Sequence, residues 1–112
     1  MDSILTSIKK MLGIEEDYEH FDNDIVMHIN SAFSILTQLG VGPSEGFYIT
    51  DKNDVWTDFT SSIGKIEIVK SLIYLRVRLL FDPPQSSALI ESINNQIKEF
   101  EWRLNVMVDP EE

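Results

Sequence analysis

The stretch IGKIEIVKSLIYLRVRLLFDPP, residues 63–84, decides the reading of this chain. Laid out at ~100° per residue, its apolar side chains fall into two stripes, which predicts a helix over 63–81. One stripe holds Ile66, Val69, Ile73, Val77 and Leu80. The other holds Ile68, Leu72, Leu75 and Leu79, spaced four, three and four, which is the spacing of a coiled-coil seam. A helix that is apolar around most of its circumference is either central in its own domain or held between that domain and a partner. Asp82-Pro83-Pro84 ends it, because proline lacks the N–H donor and pushes the preceding residue out of the helical region.

Beyond the break, Ser86 or Ser87 serves as an N-cap for a helix over 86–105. Leu89, Ile93, Ile97, Phe100 and Leu104 form its apolar stripe, with Ile90 beside it. A tail over 106–112 follows, apolar in Val106, Met107 and Val108 and acidic from Asp109 to Glu112. On the N-terminal side, residues 41–62 lose the helical period; they contain Gly42, Pro43 and Gly46, an alternating piece from Phe47 to Thr50, and a turn around Asp51 to Asp54. This insert reads as a long loop with room for one small hairpin or strand. Before it, Ile25, Ile29, Ala32, Leu36 and Leu39 share one face of a helix over 23–39, with Phe33 on its shoulder, Asp22 or Asn23 as cap and Gly40 as terminator. The first helix, over 2–12, has Asp2 or Ser3 at its start, carries Ile4, Leu5, Ile8, Met11 and Leu12, and stops at Gly13. An acidic connector, Glu15 to Asp24, joins these two helices. The expected fold is therefore mainly α: one domain over 1–112, a small four-helix bundle with a long loop or short β insert between its second and third helices.

Length and charge narrow the function. A chain of 112 residues suits one domain, and should bury roughly 65% of its unfolded surface, enough for a core without staples. Cysteine is absent, so disulfides and thiolate metal sites are excluded. The N-terminus has too short an apolar run for a signal peptide, and no stretch approaches the ~20 apolar residues that span a bilayer, so no membrane role is expected. With 9 basic and 19 acidic side chains the formal net charge is −10, which opposes binding to a phosphate backbone.

Catalytic equipment is not visible, and neither an enzyme nor any cofactor is expected. There is no phosphate-binding Gly-rich loop, HExxH, GxSxG or calcium-loop pattern. His20 and His28, the only imidazoles, stand eight residues apart with a helix start between them, which is not a usual metal-ligand spacing. Glu15, Glu16, Asp17, Glu19, Asp22 and Asp24 lack the alternation and central glycine of a calcium loop and read as a solvated connector. Arg76 and Arg78, near the negative end of the third helix, either snorkel out of the core, pair with carboxylates of neighbouring segments, or meet a partner. Arg103 has Glu99 one turn earlier, an ordinary surface pair. Trp102 lies about 170° from the core stripe of its helix. It is either covered by the insert, whose Trp56 and Phe59 need cover themselves, or it anchors an interface.

The run from Ile73 to Pro84, the following Ser86-Ser87-Ala88, and Glu99-Phe100-Glu101-Trp102-Arg103-Leu104-Asn105 form a pattern. Together with Gly46-Phe47-Tyr48-Ile49, Trp56 and Asp58-Phe59, that pattern resembles the head-to-tail connector, or adaptor, proteins of tailed bacteriophages over nearly the whole chain. The resemblance implies a helical bundle with an extended loop or arm. It also implies a ring of subunits, commonly twelvefold, that docks under the portal after DNA packaging and receives the next stopper, neck or tail protein. The protein would be made in the cytoplasm of a bacterial host and reside in the virion neck, with DNA passing through the lumen and no sequence-specific contact. Candidate interface residues are Phe47, Tyr48, Trp56, Phe59, Ile68, Leu72, Leu75, Arg76, Arg78, Leu79, Trp102, Val106, Met107 and Val108. The two-sided third helix and off-stripe Trp102 supply surplus apolar surface for heterologous contacts that close into a ring. The competing reading is a small acidic inhibitor that mimics DNA, which a charge of −10 permits. Its acids, however, gather in the connector and C-terminus instead of forming regular rows.

Overall fold

The computed structural model describes residues 3–107. The chain forms helices α1 (Ile4–Leu12), α2 (Asp22–Gln38), α3 (Trp56–Phe59), α4 (Ile63–Phe81) and α5 (Ser87–Val106). Four main helices pack together, and α3 is a single turn inside the insert. Among the described residues there is no sheet; the only β pairing is an isolated bridge between Ser3 and Val55.

Helix α4 is the axis of the packing, touching α1, α2 and α5. Both of its stripes go inward: Ile66, Val69, Ile73 and Val77 from one, Leu72 and Leu75 from the other, are buried. Of the two readings open for a helix apolar all round, central placement is the one realised. Leu80 departs from its stripe and is exposed, because it lies in the last turn of α4. The helices α2 and α5 both lie against α4, each contributing one stripe: Ile25, Ile29, Ala32, Phe33 and Leu36 from α2, Ile93, Ile97 and Leu104 from α5. Leu89, expected in the α5 stripe, is exposed in the first turn of that helix.

The helix ends follow the capping chemistry with one exception. Ser3, Ser62 and Ser86 each accept a hydrogen bond from a backbone N–H three residues on. Gly13 and Gly40 take the left-handed conformation after α1 and α2, at φ 83° in both. The start of α2 differs from expectation: Phe21 is the N-cap and makes no side-chain cap bond, while Asp22 and Asp24 sit in the first turn. Phe21 instead packs edge-on against Phe81 at the end of α4, with centroids 5.1 Å apart, so packing sets the entry angle of α2. At the other end α5 runs one residue further than expected, so Val106 is helical and not part of a tail.

Of the two forms expected for the insert, the long loop is realised, with no hairpin or strand among the described residues. Ile49 is buried, and its backbone is satisfied by a side chain: its N–H donates to Asn30 Oδ1 at 2.7 Å, and its carbonyl accepts from Asn30 Nδ2 at 2.9 Å. The amide of Asn30 on α2 thus occupies the place of a pairing strand. Asp54 Oδ2 accepts from the N–H groups of Thr50 and Asp51, which closes the following turn. The insert is then fastened to α1, with Ile4 N–H donating to Asp54 O at 2.9 Å and Trp56 Nε1 to Ser7 Oγ at 3.2 Å. Trp56 and Phe59 are buried against Phe33, and Phe47 packs on both Phe33 and Phe59.

Candidate functional site

The candidate interface residues divide into two groups. Trp56, Phe59, Leu72 and Leu75 are buried in the subunit's own core, so these four are corrected from surface to core. Phe47 is half-buried in the aromatic cluster of the insert, Ile68 is half-buried on α4, and Leu79 is half-buried beside the core. The coil-like spacing of the second α4 stripe is satisfied within the chain at Leu72 and Leu75, which the subunit's own helices bury. Sequence spacing alone does not distinguish a seam that meets a neighbouring helix of the same chain from one that meets another subunit.

The remaining candidates lie on the surface. Trp102 is 65% exposed, and Val106 and Met107 follow it along and just beyond the last turn of α5. The insert is folded against α1 and α2, so it does not cover Trp102. Tyr48, at 70% exposed, points outward from a position next to buried Ile49. Val108 lies outside the described residues.

The two arginines of α4 have different surroundings. Arg76 Nε donates to Glu101 Oε2 at 3.1 Å, tying α4 to α5. Arg78 is half-exposed, and among the described residues it has no carboxylate within salt-bridge distance. Arg103 pairs with Glu99 one turn away at 2.6 Å, the surface pair expected from the spacing.

A shallow groove runs along the bundle between α2 and α5. Arg76, Leu79 and Leu80 of α4 floor it, with His28 and Ile35 on one wall and Ile97 on the other. It exists because α5 packs on α4 and leaves a gap to α2. His28 is half-buried there, whereas His20 is exposed and stacks edge-on against Phe21. Among the described residues, no three His, Asp or Glu side chains stand close enough to hold a metal ion.

Sequence reading missed one residue altogether. Lys9 is 2% exposed, the one buried charged side chain among the described residues. Its Nζ donates to the carbonyls of Glu16 at 2.9 Å and Tyr18 at 2.8 Å, and lies 2.8 Å from Asp22 Oδ1. The acidic connector is therefore wrapped around a cation supplied by α1. The available signal was position: Lys9 stands four residues after Leu5 and next to Ile8, on the apolar arc of α1, just before a run of carboxylates.

These features define a small helical protein whose conspicuous surface elements are exposed aromatic and aliphatic side chains, Trp102 and Val106 on α5 and Tyr48 in the insert among them, and not a convergent polar centre among the described residues. The model of the phage connector protein family matches residues 4–111, and the chain belongs to that family. No curated protein and no solved structure matches the chain significantly. No helix among the described residues is long and apolar enough to cross a membrane. Membership of a connector family implies a structural part in the phage particle and assembly with other virion proteins.

Proposed function

We propose that this protein is a subunit of a ring-shaped head-to-tail connector that docks on the portal and joins the DNA-filled head to the neck or tail. The observation that carries the reading is the exposed end of α5. A tryptophan at 65% exposure beside Val106 and Met107 is costly to leave in water, and aromatic anchors of this kind are enriched at the centres of interfaces. Helix α5 packs on α4 by one stripe, so its outer side is available to a neighbouring subunit. In a heterologous contact that patch meets a different surface of the next copy, and repetition of a suitable rotation closes the ring. The net charge of −10 suits a channel through which DNA moves without adhering. Portal protein, further copies of this chain and the next neck protein are the expected partners, and the neck of the virion is the expected location.

Trp102→Ala tests the proposal. The variant should fold normally, enter phage particles poorly and leave heads without tails. Normal incorporation together with normal head–tail joining would remove Trp102 from the interface. Particles that lack the protein entirely yet join heads to tails and keep their DNA would refute the connector role itself.

A further inference from the structure

Helices α4 and α5 each carry a second face that the described chain leaves uncovered. On α4, Ile63, Glu67, Ser71, Tyr74 and Arg78 fall within one arc of ~80° at ~100° per residue, and none of them is buried. Their spacing of four, four, three and four makes a continuous seam along the helix. On α5, Glu91, Asn95, Lys98, Trp102 and Val106 fill an arc of the same width opposite the core stripe, and all of them are exposed. Each seam thus holds one acid, one base, one aromatic ring, one aliphatic side chain and one small or amide polar residue.

The charges of the two seams are not used inside the subunit. Among the described residues Glu67, Arg78, Glu91 and Lys98 form no ion pair, whereas Glu99 and Glu101 are engaged by Arg103 and Arg76. Lys70, beside the α4 seam, lies 5.7 Å from the centroid of the Trp56 ring. Asp82, just past the helix, is exposed and forms no salt bridge with Arg78. In both seams the acid comes first along the chain, by eleven residues in α4 and by seven in α5. Two such helices laid parallel match only one acid with a base. Laid antiparallel they match both, because the two separations differ by four residues, about one turn. The same register sets Ile63 level with Val106 and Trp102 against the turn from Ile63 to Ser71.

We propose that the α4 seam of one copy receives the α5 seam of the next, antiparallel, with Arg78 against Glu91 and Glu67 against Lys98. The proposal rests on the reading of the outer side of α5 as a subunit contact, and it names the surface that Trp102 meets. The seams are different surfaces of one chain, so every copy gives one and takes one and the contact repeats through an assembly. Opposed charges fix direction and register, while the aromatic and aliphatic side chains are removed from water.

The chain has no cysteine, so single introduced thiols report the contact. Ser71→Cys and Asn95→Cys leave every charge and ring of both seams in place and lie within a turn of each other in this register. Full-length chains carrying one change each, when mixed, should be joined in pairs by a short thiol-specific cross-linker, and neither chain alone should give more than a trace. Adding Arg78→Glu to the first chain, or Glu91→Arg to the second, should cut the yield about fivefold or more, and adding both should restore it. No mixed product, equal product from one chain alone, or no recovery in the double exchange would overturn the proposal. Such a failure is separable from failure of the connector role, which shows instead as normal head–tail joining in particles that lack the protein.

Discussion

Replacing Lys9 with methionine keeps most of the side chain's length and removes only its charge and donors. In the native protein, the ammonium compensates Asp22 Oδ1 and two carbonyls that belong to the connector. The Asp22 side chain is 24% exposed, yet its Oδ1 atom is sealed from solvent and makes no hydrogen bond, so the ion pair is what offsets its charge. Removing one partner of a buried pair costs about 3–5 kcal/mol. Partial solvent access to the other Asp22 oxygen places this case near the lower end, at about 3 kcal/mol. That is a large part of the ~5–15 kcal/mol by which a domain of this size is stable. With a urea dependence of about 1.5–2 kcal/mol per molar, the unfolding midpoint should fall by about 1.5–2 M with an unchanged slope. Lys9→Met combined with Asp22→Asn should recover part of the loss, because the second change removes the uncompensated charge. A midpoint shift corresponding to less than about 1 kcal/mol in Lys9→Met would refute the argument that this cation holds the connector. So would a double variant no more stable than the single one.

Asn30→Ala strips both hydrogen bonds from the backbone of Ile49, and with its groups left unpaired the protein should lose about 2 kcal/mol in urea unfolding, with faster amide exchange at Ile49. Gly42 and Gly13 both have positive φ, but a Cβ at Gly42 would overlap the Phe59 ring whereas Gly13 faces open space. Gly13→Ala should therefore cost only the backbone term of about 1–2 kcal/mol, and Gly42→Ala measurably more by the same melt. Trp102→Ala should stay within about 0.5 kcal/mol of the parent, as expected of a surface side chain that the subunit's own core does not use.

The connection between these residues and the linear sequence is uneven, for physical reasons. Helix positions were legible because apolar spacing and serine, glycine and proline boundaries are local properties: α4 was expected over 63–81 and spans Ile63–Phe81. The insert was less legible. Phe47 to Thr50 alternates like a strand, but its partner is the Asn30 side chain, 19 residues away, and no local pattern announces that substitution. Trp56 and Phe59 need cover by their size, but no local pattern shows that Phe33 of α2 supplies it. Lys9 carries a polar side chain on a buried arc, and only the return of the acidic connector over α1 makes that burial tolerable.

Taken alone, the order of residues determined the helical class, the helix boundaries to within about two residues, and the lack of thiols, because each depends on neighbours no more than a turn or so apart. Which apolar stripe is core and which is surface was settled only in three dimensions. Burial is a relation between distant segments: Leu72 and Leu75 are enclosed because other helices close around α4, and Trp102 is exposed because nothing among the described residues covers it.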